Sequence, residues 1–129
     1  MTYFTVEEAN ALLPELEPRL ERLQSAWQRL SRSRHRFIAT CVKHPHDDFG
    51  GGWLGTVAAD SITAENTLIG IIARGIVVRD PATGLVDFPA MRNGQEVQLC
   101  WRLGEPSVAH WHTVDGGFGA RRRLDEDEG

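Results

Sequence analysis

The stretch GLVDFPAMRNGQEVQLCWRLGEPSVAHWH, from Gly84 to His112, has the clearest strand and turn signals of this chain. Asn93-Gly94 is typical of a two-residue hairpin turn, because a type I′ turn needs a positive φ at both central residues. A second, looser turn follows at Leu103–Pro106. The stretch therefore predicts three antiparallel strands, which are Leu85–Arg92, Gln95–Arg102 and Ser107–His112.

Strand alternation sorts the side chains of this predicted sheet onto two faces. In the first hairpin Asp87 faces Cys100, and with a loop at Leu103–Pro106 the third strand pairs Leu99 with His110. One face then carries apolar side chains together with both histidines: Val86, Phe88, Val97, Leu99, Trp101, Val108, His110 and His112. The other face carries Asp87, Gln98, Cys100, Ala109 and Trp111.

The residues before this stretch predict helices. Thr5-Val6-Glu7-Glu8 has the spacing of a capping box, and the helix that it starts is expected to end near Leu13, since a residue before proline avoids α geometry. A second helix from Pro14 to about Ile38 has apolar residues at alternating steps of four and three, with Pro18 kinking its start. These apolar residues are Leu16, Leu20, Leu23, Trp27 and Leu30.

A third helix is expected from Asp60 or Ser61 to Arg74, where Gly75 stops it. One more strand, Gly75–Asp80, precedes the stretch that begins at Gly84. The predicted fold is α+β, a kinked antiparallel helical hairpin followed by a four-stranded antiparallel β-meander. Residues 1–124 would form a single domain, with a helical part at 5–74 and the β-meander at 75–112, and residues 125–129 an acidic disordered tail.

Composition narrows the classes of protein that the chain fits. Hydrophobic residues make up 41% and charged residues 25%, which is ordinary for a soluble globular protein. A formal net charge of −4 argues against a general nucleic-acid binder. No apolar stretch approaches the roughly 20 residues that span a bilayer, and the N-terminal residues lack the pattern of a signal peptide. Because two cysteines also suit a reducing compartment, we expect a cytoplasmic protein.

His110 and His112 are the strongest candidates for metal binding. Two histidines two residues apart on a strand point the same way, so both imidazoles could bind one divalent ion such as zinc. Such a site needs a third protein ligand. Glu105 in the preceding turn and Asp115 just past the strand are the candidates, because Asp87 lies on the opposite face in the predicted register. Alternatively, His110 is a hydrogen-bonded core residue and His112 lies at the rim of the core.

Two further clusters of reactive side chains remain. The segment Cys41–Thr56, interrupted by Pro45 and three consecutive glycines, is expected to be a loop, and within it His44, His46 and Asp48 form a second candidate metal site. Cys100 beside Asp87 is a weak candidate nucleophile, because a neighbouring carboxylate raises the pKa of a thiol. The predicted register also puts no histidine on that face to act as a base.

Three groups of motifs resemble a known family. The segments YFTVEEANALLPEL (residues 3–16) and GLVDFPA (84–90), with the later LCW, GE, WH and GF motifs, are similar to small bacterial proteins catalogued as domain-of-unknown-function family 2203. The resemblance implies a bacterial, intracellular protein and brings no activity with it. It does not extend to the histidines and aspartates of residues 44–48.

Two functions therefore stay open. The first is a cytoplasmic interaction module that self-associates, most simply as a homodimer, because the seam Leu16–Phe37 is longer than Ile62–Ile72 and leaves apolar helix surface uncovered. The second is a small metal-dependent enzyme built around His110 and His112.

Overall fold

The computed structural model describes residues 2–43 and 50–125, and within them two helices precede an antiparallel sheet. The predicted α+β class is therefore confirmed. The helices are α1 (Val6–Lys43) and α2 (Gly50–Ile72). The strands are β1 (Val77–Asp80), β2 (Leu85–Arg92), β3 (Gln95–Arg102), β4 (His110–Thr113) and β5 (Arg122–Arg123), with a short 3-10 helix at Phe118–Ala120 before β5.

Helix α1 starts at the predicted capping box and continues further than expected. The Glu8 backbone N–H donates to Thr5 Oγ1 at 3.1 Å, and the Thr5 N–H donates to Glu8 Oε1 at 2.9 Å. The predicted end near Leu13 is wrong, because α1 includes both Pro14 and Pro18. Each proline removes one helical hydrogen bond, but burial of a long apolar stripe on this helix outweighs that loss. A kink at the prolines remains a prediction.

Helix α2 begins at Gly50 and not at Asp60. The expected loop Cys41–Thr56 is thus wrong at both ends, while residues 44–49 lie outside the described residues. Glycine lowers helix propensity by only about 1 kcal/mol and remains compatible with α geometry, so three glycines weaken a helix without forbidding it. Ion pairs join Arg74 to Glu15 and Arg29 to Asp60, which places the end of α2 beside the start of α1.

The sheet has five strands in the order β1-β2-β3-β4-β5, and each neighbouring pair is antiparallel. The predicted four-stranded meander ending at residue 112 is therefore one strand short. A two-residue strand such as β5 shows no alternation in the sequence, so it could not be recognised there. The β2–β3 register is as predicted, with Asp87 opposite Cys100, and Asn93 and Gly94 have φ values of 53° and 79°.

The predicted register between β3 and β4 is wrong by one residue. Leu99 pairs with Trp111 and Cys100 with His110, where the sequence analysis paired Leu99 with His110. The loop before β4 is longer than Leu103–Pro106, because Val108 is held by α1: its N–H donates to Asn10 Oδ1 at 2.7 Å. A one-residue shift moves every side chain of a strand to the other face. Trp111 consequently faces the core, and both histidines face away from it.

The hydrophobic core is one cluster that combines α1 and two buried residues of α2, Ala64 and Ile71, with the apolar face of the sheet. Phe4 packs edge-on against Phe88, with their ring centroids 5.3 Å apart. Trp27, expected in the buried seam, has 43% of its surface exposed, and the neighbouring Ala26 is buried instead. The buried residues of α1 are Ala9, Leu13, Leu16, Leu20, Leu23 and Ala26, and those of the sheet face are Val86, Phe88, Ala90, Val97, Leu99, Trp101 and Trp111.

Substitutions in the β1–β2 turn can test the close contact between Gly84 and Leu103. Gly84 has a φ of +71°, and a Cβ added there would lie 2.6 Å from Leu103 Cβ. Gly94 has a similar φ of +79°, but no described atom lies within 4 Å of its added Cβ. We expect Gly84→Ala to lower the free energy of unfolding by about 3 kcal/mol and Gly94→Ala by about 1 kcal/mol, as measured by urea denaturation. Equal losses would contradict the close approach of Leu103.

Candidate functional site

The sheet face opposite the core carries a buried cluster of polar side chains. Asp87 comes from β2, Cys100 from β3 and His112 from β4. Their exposed fractions are 1%, 1% and 3%. The β3–β4 register brings them together, because Cys100 is opposite Asp87 on one side while Gln98, two residues earlier, is opposite His112 on the other.

Both ring nitrogens of His112 face oxygen atoms. Nδ1 lies 2.7 Å from the Thr113 carbonyl oxygen, and Nε2 lies 3.0 Å from each carboxylate oxygen of Asp87. A carbonyl oxygen can only accept a hydrogen bond, so Nδ1 carries the proton of that bond. The Thr113 carbonyl therefore fixes the ring with Nε2 directed at the carboxylate.

Arg79 on β1 compensates the buried charge of Asp87. Its Nε donates to Asp87 Oδ2 at 2.6 Å, and its side chain is 45% exposed. A buried carboxylate without a cation would cost several kcal/mol. Arg79 therefore supplies the cation that the buried Asp87 needs, and it does so from a partly exposed position.

Cys100 is poorly suited to be a nucleophile. Burial raises the pKa of its thiol to about 11, and the negative charge of Asp87 adds to the rise, while contact with Arg121 opposes it. The thiolate is the reactive form, so this thiol stays protonated near neutral pH. The neighbouring carboxylate was predicted to raise this pKa, but the prediction that no histidine lies on this face is wrong.

A second group of charges lies around Glu105. Arg121 binds its carboxylate with two hydrogen bonds of 2.9 and 2.6 Å, and the Arg102 backbone N–H donates to Oε1 at 2.8 Å. Burial alone would raise the pKa of Glu105, but these hydrogen bonds outweigh it and hold the pKa below its ordinary value. His110 Nδ1 lies 3.8 Å from Glu105 Oε2.

The structure divides the three predicted metal ligands between these two groups. His110 lies with Glu105, whose oxygens are already bound to Arg121, whereas His112 lies with Asp87 and Cys100. A metal-dependent enzyme at His110 and His112 stays a prediction, as does a second site at His44, His46 and Asp48, which lie outside the described residues. His112 was expected at the rim of the core, yet it is 3% exposed, while the His110 side chain is 23% exposed.

The sequence did not predict that Asp87 and Cys100 lie beside His112, because the predicted register put them on the opposite face of the sheet. One signal in the sequence could have found them. Aligning Trp111 with Leu99 keeps the large apolar side chains of β3 and β4 on the core face. The histidines then fall automatically on the face of Asp87.

The helices present a second candidate surface, made of exposed apolar side chains. On α2 the residues Ile62, Ile69 and Ile72 are 59%, 56% and 53% exposed. Their spacing of seven and three puts them on one stripe of the helix. On α1 a similar stripe carries Trp27, Ile38 and Val42, which are 43%, 49% and 79% exposed. Within the described residues, neither helix is long and apolar enough to cross a membrane.

Comparison with known proteins identifies a family. A family model described as "Uncharacterized conserved protein (DUF2203)" matches residues 2–124. The chain belongs to this family. The match spans both helices and all five strands, so it includes the Asp87–Cys100–His112 cluster. No curated protein and no solved structure matches the chain.

The raised pKa and the burial of Cys100 can be tested by the rate at which the thiol is alkylated. In a Cys41→Ser variant Cys100 is the remaining cysteine of the chain. At about pH 8, a thiol whose pKa is about 11 has roughly 100-fold less thiolate than one whose pKa is 9.0. We therefore expect iodoacetamide to modify the folded variant, in the presence of a chelator, at least about 100-fold more slowly than the urea-unfolded variant. Mass spectrometry over time measures both rates, and similar rates would contradict a buried Cys100.

The same raised pKa has a consequence for stability. Folding raises the pKa of this thiol from 9.0 to about 11, so the folded state holds the thiol proton more tightly than the unfolded state. The resulting contribution to the free energy of unfolding is complete below pH 9.0 and is lost as the pH rises towards about 11. Over that window the thermal midpoint of Cys41→Ser should fall more steeply than that of Cys41→Ser/Cys100→Ser.

Proposed function

We propose that this protein is an interaction module that self-associates as a homodimer through its helices in the bacterial cytoplasm. The observation that carries the proposal is the stripe of Ile62, Ile69 and Ile72 on α2, each more than half exposed. Burial of one such side chain contributes about 1.5–3 kcal/mol. An isologous interface uses the same residues from both copies, so three isoleucines supply six buried side chains.

The distal part of α1 supports the same conclusion. Among the described side chains of residues 31–43, none is buried. This part is about 20 Å of helix at 1.5 Å per residue, and helices of proteins owe most of their stability to tertiary packing. A second copy packed against this part of α1 would bury the exposed side chains among its described residues.

Charge complementarity favours a second copy as the partner. The exposed Glu65 lies beside the isoleucine stripe of α2, one helical turn from both Ile62 and Ile69, and the exposed Arg34 lies within the apolar stripe of α1. If α2 of one protomer packs against α1 of its partner, the two facing apolar stripes carry charges of opposite sign. In a twofold dimer that arrangement occurs twice.

Light scattering coupled to size exclusion tests the proposal. For the wild-type chain, light scattering should give a mass twice that of the 14.4 kDa monomer. For Ile69→Glu it should give the mass of the monomer, because the new charge would be buried without a partner at the centre of an apolar interface. Met91→Glu is the matched control, since Met91 is 50% exposed but lies on β2, and it should remain dimeric.

Circular dichroism establishes that both variants fold. A monomeric wild-type chain at high concentration, or equal dissociation of the Ile69 and Met91 variants, would contradict the proposed interface.

A further inference from the structure

The contact between His112 and Asp87 requires a positive species. With its proton at Nδ1 bound to the Thr113 carbonyl, a neutral imidazole presents a lone pair at Nε2. That lone pair faces two carboxylate oxygens, each 3.0 Å away. Lone pairs at this distance repel each other unless a proton or a metal ion lies between or beside them.

A third possible donor, the Cys100 sulfur, favours the metal ion. Nitrogen, sulfur and oxygen ligand atoms of His112, Cys100 and Asp87 all lie within 4.8 Å of one another. Ligand atoms of a tetrahedral zinc ion lie about 3.3–3.8 Å apart, given bonds of about 2.0 Å to nitrogen or oxygen and 2.3 Å to sulfur. We propose that Asp87, Cys100 and His112 form a binding site for zinc or a similar divalent transition metal.

Neighbouring groups bind His112 and Asp87 with the hydrogen bonds that commonly orient metal ligands in proteins. Histidine ligands usually donate their other ring N–H to a carbonyl or carboxylate, which is what His112 does to Thr113. Ligating carboxylates are themselves hydrogen-bonded, and Arg79 binds Asp87 through Oδ2, so that Oδ1 remains for the metal. The ligands are thus oriented before any ion arrives.

Gln98 is an independent sign that the cluster takes a ligand. Its side chain is buried, with 7% of the residue exposed, and it is directly opposite His112 in the sheet. Its Oε1 is buried without a hydrogen-bond partner among the described residues. A metal, or a water molecule bound to it, would give this oxygen a partner.

The charges around the cluster select the class of metal. Arg79 and Arg121 both contact ligand residues and oppose a dication. A hard ion such as Mg²⁺ or Ca²⁺, which prefers oxygen ligands, has too little to gain from one carboxylate. Zinc gains a thiolate bond as well, so it overcomes this repulsion where hard ions do not.

Binding must displace a proton from Cys100. The thiol is protonated near neutral pH because burial and Asp87 raise its pKa. The Cys100 sulfur gives its proton to solvent and forms the metal–sulfur bond, while any proton shared by Asp87 and His112 leaves as well. Metal affinity should therefore increase with pH.

Cobalt(II) provides a direct measurement, because its bond to a thiolate gives a charge-transfer absorption in the near ultraviolet. The full chain without a histidine tag is stripped with a chelator and titrated with cobalt. We expect this absorption to saturate at one cobalt ion per chain and to disappear when zinc is added. No thiolate absorption in the wild-type chain would overturn the proposal and leave a proton between Asp87 and His112.

Matched variants assign the ligands. The absorption should persist in Cys41→Ser and disappear in Cys100→Ser, and affinity should fall at least about 10-fold in His112→Gln but not in His110→Gln. Persistence in Cys100→Ser would overturn the proposal, as would equal losses in the two histidine variants, which would favour the pair His110 and His112. If Cys100→Ser fails to fold, an unchanged signal in Cys41→Ser still assigns the thiolate, since the chain has two cysteines.

Discussion

The register of β3 against β4 determines which side chains of β4 pack in the core and which join the polar cluster. It pairs Leu99 with Trp111, so that both face the core, and it leaves Cys100 and His112 on the other face with Asp87. Because strand side chains alternate, no intermediate arrangement exists, and a slip of β4 by one residue would move Trp111 to the polar face and His112 to the core face. The hydrogen bond from the Val108 N–H to Asn10 ties the chain before β4 to α1 and so holds this register.

The two faces of the sheet are stabilised by different physics. The core face needs only apolar area, which α1 supplies with a stripe of leucines and alanines. The opposite face buries a carboxylate and an imidazole, which is favourable only while each has its partner: Arg79 for Asp87, and the Thr113 carbonyl for His112. Removing either partner would leave a buried polar group unpaired, and this face is the part of the sheet where specific chemistry can occur.

Local signals in the sequence predicted local structure well. The capping box at Thr5–Glu8 and the Asn93-Gly94 turn each depend on a few adjacent residues, and both gave the observed hydrogen bonds or register. The failures have non-local causes. Whether α1 continues through Pro14 depends on packing against a distant sheet, and the β3–β4 register depends on Asn10, almost a hundred residues from Val108 in sequence. The wrong β3–β4 register also made the predicted site wrong about which residues accompany His112, because the residues of the site come from three strands.

A double-mutant cycle between Asp87 and His112 measures whether these two side chains are in contact. Unfolding free energies of the wild-type chain, Asp87→Asn, His112→Gln and the double variant are measured in urea with a chelator present. Side chains in direct contact should show a coupling energy of about 1–3 kcal/mol, and the same cycle with His110→Gln should show less than about 0.5 kcal/mol. Absence of coupling between Asp87 and His112 would contradict the observed register, because the alternative register puts them on opposite faces of the sheet.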